Sequence, residues 1–270
     1  MKRYFTAMLL LTACQPDQPA TTTPPAAAPV RKASPAATSL ATKADTLQLY
    51  DSLGHAAGVA RLRPSTAAAF ARLRATDPLP ARPSDSENLS EVTEAPLPTD
   101  GRVQRQGELL VLQPAQGPVV TLRPVPSPDG PEGNDNAYYY WGSLPAAHQW
   151  VIDVSTDEGP AALLVDQRTG RRTTLLGWPT VSPDKRYLLS VCEDVASGGT
   201  PTNLSLYRCD GAAPQLIWMR DLVDWGPRRA HWRDARHVVL EQAHASVDGD
   251  VQAATQLPLT YAELELPAEP

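Results

Sequence analysis

The second half of the chain is written in short apolar runs punctuated by glycine. Leu110-Val111-Leu112 is followed by Gly117, Leu163-Leu164-Val165 by Gly170 and Leu204-Ser205-Leu206 by Gly211, each glycine seven residues after the first leucine. A second apolar run follows each one, at 119–122, 173–176 and 215–218. In each pair the glycine closes a turn, with Asp210-Gly211 the strongest hairpin signal, so each pair predicts a β-hairpin. Recurrence at this spacing predicts a repeat.

A second recurrence precedes the hairpins. Ser182-Pro183-Asp184-Lys185-Arg186-Tyr187 leads into Leu188-Leu189-Ser190-Val191, and Asp234-Ala235-Arg236-His237 leads into Val238-Val239-Leu240. An earlier, degenerate copy is Leu144-Pro145-Ala146-Ala147-His148-Gln149 before Trp150-Val151-Ile152. Counting runs predicts about two strands before Asn134, four in each of two full units, and three in a final unit that ends with the apolar stretch 257–266. The fold class predicted is mainly β, an antiparallel meander, with a β-sandwich as the alternative because alternating hairpins serve both.

The N-terminal third reads differently. Ser65 after Pro64 is placed to cap a helix through Ala67, Ala68, Ala69, Phe70, Ala71 and Leu73 that stops before Asp77-Pro78. A second candidate helix starts at Asp45 and carries Leu47, Leu49, Tyr50 and Leu53. Gly54 and Gly58 weaken it by about 1 kcal/mol each. Residues 44–76 therefore predict one or two short helices. Residues 14–43 are Pro, Ala and Thr with almost no apolar bulk, and cannot bury enough surface to offset the entropy of ordering. They read as a tether that spans on the order of 90 Å in polyproline geometry. A second, acidic and proline-rich linker is predicted over 77–101, leaving 102–270 as a β-rich repeat domain.

At the start of the chain, Lys2 and Arg3 precede a short apolar run, 4–11, and small residues before Cys14. This is the layout of an export signal, and it is too short to span a membrane as a helix. Leu11-Thr12-Ala13-Cys14 resembles the lipobox of bacterial lipoproteins. That resemblance implies removal of 1–13 and attachment of diacylglycerol to Cys14, and two or more acyl chains anchor stably where one does not. Gln15 stands where such families place a retention aspartate, so the resemblance implies the cell envelope, and the outer membrane if the cell has one. In the body, Ser182-Pro183-Asp184-Lys185-Arg186-Tyr187 resembles the Ser-Pro-Asp-Gly turn of the PD40, or TolB-like, β-propeller repeat, with Lys185 in place of the family's glycine. Trp141, Trp178 and Trp232 sit near the place where that repeat often carries tryptophan. The resemblance implies partial or irregular propeller-like repeats, open rather than closed, because about three blades fall short of the four a ring needs.

Composition narrows the partners. The formal charge is −6, and loss of Lys2 and Arg3 with the leader makes the mature chain −8. Nucleic acid is excluded as a partner on that balance. Lysine occurs only at 2, 32, 43 and 185. Cys192 and Cys209 fall about six strand positions, or roughly 20 Å, apart in the predicted hairpin, beyond the reach of a disulfide. Both read as packing residues rather than nucleophiles.

Candidate chemistry is sparse. The five histidines (55, 148, 231, 237 and 244) show no zinc spacing, and the chain has no nucleophile elbow, phosphate loop or dinucleotide fingerprint. No metal, cofactor or catalytic set is predicted. The acidic loop 129–136 lacks the alternation of a calcium loop and reads as a solvated turn, as do Glu193-Asp194 and Asp248-Gly249-Asp250. Tyr138, Tyr140 and Trp141, in the run 138–141, read first as core and second as rings that contact a sugar or a protein partner. The function expected is a lipid-anchored envelope protein with a non-catalytic binding or scaffold domain. The alternatives are a carbohydrate-binding lipoprotein, or a hydrolase with dispersed residues.

Overall fold

The computed structural model describes residues 45–74, 79–80, 94–125, 137–155, 161–195, 200–209, 211, 213–244 and 259–268. The leader 1–13, Cys14, the tether 14–43, most of the linker and the loop 129–136 lie outside the described residues.

The described chain opens with a hairpin, β1 (Asp45–Tyr50) and β2 (Ala56–Pro64), followed by helix α1 (Ala67–Arg74). The first of the two expected helices is therefore a strand. Its apolar period is two: Leu47 and Leu49 are buried while Gln48 and Tyr50 turn away, and Ala60 and Leu62 of β2 join them in the core. Gly54, at φ 82, is the turn residue of this hairpin, and Asp51 Oδ1 accepts from the Leu53 and His55 amides, both at 2.8 Å. The α1 cap is Thr66 rather than Ser65: its Oγ1 accepts from the Ala69 amide at 3.1 Å. No described helix is long and apolar enough to cross a membrane.

Three further strands, β3 (Val103–Gln106), β4 (Leu109–Leu112) and β5 (Val120–Leu122), form a small antiparallel sheet. The polar sequence of β3 hid it from the count of apolar runs. Next come β6 (Ala137–Leu144), a 3-10 turn (Pro145–Ala147), β7 (Gln149–Ser155), β8 (Ala161–Asp166) and β9 (Arg172–Leu176), a four-stranded sheet in chain order. Then follow β10 (Trp178–Val181), β11 (Tyr187–Cys192), β12 (Asn203–Arg208), β13 (Gln215–Asp221), β14 (Trp225–Trp232), β15 (His237–His244) and β16 (Leu259–Glu265). Each predicted glycine hairpin and each predicted turn-to-strand unit is present at its place.

The second four-stranded unit does not stand alone as a propeller blade would. Its last strand, β13, pairs with β1 at Tyr50 and Met219, and the result is one nine-stranded sheet in the order β10-β11-β12-β13-β1-β2-β16-β15-β14. That sheet curls into a nearly closed, barrel-like form. Its two edge strands come together where Trp232 Nε1 donates to the Thr180 carbonyl at 3.1 Å.

Three apolar layers hold the sheets. Leu49, Leu62, Leu189, Leu206, Trp218, Leu240 and Leu264 fill the inside of the curled sheet. Leu110, Leu112 and Leu122 pack on Tyr140, Trp150 and Ile152 between the three- and four-stranded sheets. Trp141, Val151, Leu164 and Leu175 pack on Leu188 between the four-stranded and nine-stranded sheets. Consecutive residues Val151 and Ile152 serve different layers, so β7 is buried on both faces and its sequence shows no alternation. The join between these sheets is tight. Gly177 has φ 78, and a Cβ there would lie 1.9 Å from the Val191 carbonyl oxygen.

Cys192 pairs with Asn203, and the Cys209 amide donates to the Arg186 carbonyl at 2.8 Å. The two thiols stand at opposite ends of the β11–β12 hairpin, with no disulfide between them.

Candidate functional site

Two of the three aromatic rings marked on strand β6 are buried. Tyr140 is 3% and Trp141 5% exposed, and they point into different layers because a bulge between Tyr140 and Gly142 inserts Trp141. Tyr138 is half-buried beside Tyr140. As the outer strand of its sheet, β6 has unpaired backbone groups, and the chain's own linker covers them. The Tyr140 amide donates to Glu94 Oε1 at 2.8 Å, and its carbonyl accepts from the Ala95 amide at 2.9 Å. Arg105 pairs with Glu94 and donates to the Tyr138 carbonyl at 2.8 Å. Trp141 Nε1 donates to the Pro80 carbonyl at 3.1 Å, and Leu79 is buried against the same tryptophan layer. The described parts of the linker are therefore docked, where an extended, solvated chain was expected.

A cleft lies elsewhere, at the seam of the curled sheet. About 320 Å³ in volume, it is lined by Leu73 from α1, Leu144 at the end of β6 with Pro145 and Ala146 after it, Thr180 through Pro183 with Lys185 at the β10–β11 turn, and His231 and Trp232 at the end of β14. Four stretches far apart in sequence meet there. The turn is held from within: Ser182 Oγ donates to Asp184 Oδ1 at 2.6 Å and accepts from the Tyr187 amide at 3.0 Å, and Asp184 Oδ1 also accepts from the Arg186 amide at 3.2 Å. Lys185 takes φ 65, the left-handed conformation that favours glycine, so its side chain leaves the turn from a fixed backbone position. Trp232 is anchored by its bond to Thr180, and His231 is 8% exposed with Phe70 of α1 at 4.5 Å between ring centroids. Lys185 is the one formally charged side chain among the described residues of the lining.

The other ionisable groups serve the sheets. On the outer face of β2, β14, β15 and β16, Arg63 bonds Glu265 at 3.0 Å, Arg233 pairs with Glu263, and Tyr261 Oη donates to Glu241 Oε1 at 3.0 Å. Positive and negative groups interleave there, so the face carries no basic patch. His237 contacts Asp234 at 2.8 Å and His55 contacts Asp51 at 3.3 Å, each pair spanning one hairpin turn. Burial lowers the pKa of His244, whose Nε2 sits 2.6 Å from Thr260 Oγ1. Burial pushes Asp166 up, but the Arg168 guanidinium and the Thr169 and Arg168 amides outweigh it and hold the carboxyl below its ordinary range.

Glu193 and Asp194 are half-buried rather than plain solvated charge. Asp194 Oδ2 accepts from the Thr200 amide at 2.6 Å, and burial raises the Glu193 pKa. Among the described residues, no three His, Cys, Asp or Glu side chains gather closely enough to hold a metal ion. The pair Asp248 and Asp250 lies outside the described residues. No protein-family model, curated protein or solved structure matches the chain.

The sequence marked the turn 182–187 and Lys185 in place of a glycine, but it carried no signal that Leu73, Leu144, His231 and Trp232 would face that turn. Of the rings it marked as candidates, Tyr140 and Trp141 are core and Tyr138 is half-buried.

Proposed function

We propose that the chain is a lipid-anchored protein of the cell envelope whose β body acts as a binding module rather than a catalyst. The observation that carries the binding half is the seam cleft: a mostly apolar hollow, with one cation, whose walls are fixed by a closed turn and an anchored tryptophan. Small-ligand sites have this character, largely pre-formed and apolar with a few placed polar groups. The envelope half rests on Leu11-Thr12-Ala13-Cys14 and the tether behind it.

The acid–base pairs give no support to the hydrolase reading, since the His–Asp contacts are spent on turns and Ser182 is bonded to Asp184 and the Tyr187 amide within its own. The glycan reading loses two of its rings, because Tyr140 and Trp141 are buried, and keeps only the half-buried Tyr138 and Tyr139. Mass spectrometry of the native product tests the address. Cleavage before Cys14 with diacylglycerol on its sulfur is the expected result, and an unmodified thiol on freely soluble material would overturn it. Affinity capture from native membranes, with a tether-only control, then reports what the body holds.

A further inference from the structure

We propose that the seam cleft takes a small organic monocarboxylate with an aromatic or branched apolar body, its carboxylate on the Lys185 ammonium and its body against Trp232, Val181 and Pro145. This rests on the binding reading of the body but not on the lipid anchor.

Three features of the cleft select that chemistry. Its volume, about 320 Å³, suits a small molecule rather than a polymer segment. Leucine, valine, proline, alanine and tryptophan make most of its lining, so the bulk of an occupant is apolar. Its charge has one sign: Lys185 lines it, no described carboxylate does, and Lys185 makes no ion pair among the described residues. Asp184, the nearest acid in sequence, is engaged by Ser182 Oγ and the Arg186 amide. Lys185 is thus the one formally charged side chain of the described lining in a chain of net charge −6. A single ammonium is a point charge that balances one carboxylate. Tight phosphate binding, in contrast, calls on several donors or an arginine fork, and the described lining has no arginine.

The site is also organised before anything binds. The turn bonds hold the Lys185 backbone, and the Trp232 bond to Thr180 holds the ring across the seam. An occupant would therefore have little protein left to order.

The test uses the purified full chain carrying Cys14→Ser, titrated with 4-phenylbutyrate and with its neutral amide, by calorimetry and by the indole N–H resonance of Trp232. The acid is expected to bind at millimolar concentration or below and to move that resonance, with the amide weaker by about tenfold, the scale of one charged hydrogen bond. Lys185→Gly keeps the left-handed backbone without strain, so it folds, and it is expected to bring the acid down to the affinity of the amide. Lys185→Arg is expected to keep most of the affinity for the acid. The proposal is overturned if millimolar acid leaves the Trp232 resonance in place, if acid and amide bind equally, or if Lys185→Gly binds the acid as the parent does. Because Cys14 is already replaced, none of these outcomes depends on the anchor. An intact lipid on the native product beside a failed titration would remove the cleft while leaving the envelope address standing.

Discussion

The outer edge of β6 and the seam between β10 and β14 are both places where a sheet runs out of partners, and the chain finishes them in opposite ways. At β6 the backbone groups and the rings are taken up internally, by Glu94, Ala95, Leu79 and Pro80. At the seam the Trp232 bond to Thr180 helps bring the edges together, and a hollow is left beside them. The first region is rich in the residue types associated with binding and is structural. The second is built from a turn and two strand ends, and it holds the space. Aromatic residues mark a site only where their surface is left uncovered, and here the linker decides that.

Breaking the structural side has the largest expected effect. Trp141 is buried, meets Trp178 edge-on at 5.4 Å, and bonds Pro80. Trp141→Ala should cost about 3–5 kcal/mol of stability, the range for a large buried aromatic. Denaturant unfolding measures it, and a variant of near-parental stability would show that the ring is not core. Gly177→Ala acts where the two regions are joined. Positive φ and the Val191 carbonyl both oppose a side chain, so a loss of about 2–4 kcal/mol is expected, read as a lowered thermal midpoint.

Acid sharpens the comparison further. The carboxyl of Asp166, in the β8–β9 turn, has a native pKa below that of the unfolded chain. Its contribution is therefore complete above about pH 4 and is lost as the pH falls through the lower native value. Asp166→Asn should flatten the acid limb of the stability profile and cost about 1–2 kcal/mol at neutral pH, since the Thr169 and Arg168 amides lose a charged acceptor. An unchanged acid limb would remove Asp166 as its cause. The smallest effect belongs to the seam. Lys185→Gly should raise stability by about 0.5 kcal/mol, because relief of the left-handed strain exceeds the added freedom of the unfolded chain. A loss of stability there would mean that the lysine side chain supports the fold.

Much of the β framework was legible in the sequence because hairpins are local. Gly117 and Gly170 mark turns with positive φ, and the Ser182 and Asp184 side chains close a turn within five residues of themselves. The register that kept Cys192 from Cys209 followed from counting along one hairpin. The misread segment is instructive in the same terms. The glycines at 54 and 58 that weakened a helix were the sign of a hairpin, but whether 45–50 settles as a strand depends on a sheet whose members other than β2 lie more than a hundred residues away.

What the chain alone determined, then, was most of the local β units of the body, with their turns and their order, and the short helix after Pro64. Tertiary structure decided how the units join: that β1 bridges β13 and turns two meanders into one curled sheet, that the linker covers the rings of β6, and that Leu73, Leu144, Lys185 and Trp232 surround one hollow. The physical reason is range. Turn geometry and apolar period are set by neighbours a few residues apart, whereas edge pairing and cavities depend on which faces remain unsatisfied after every sheet has packed.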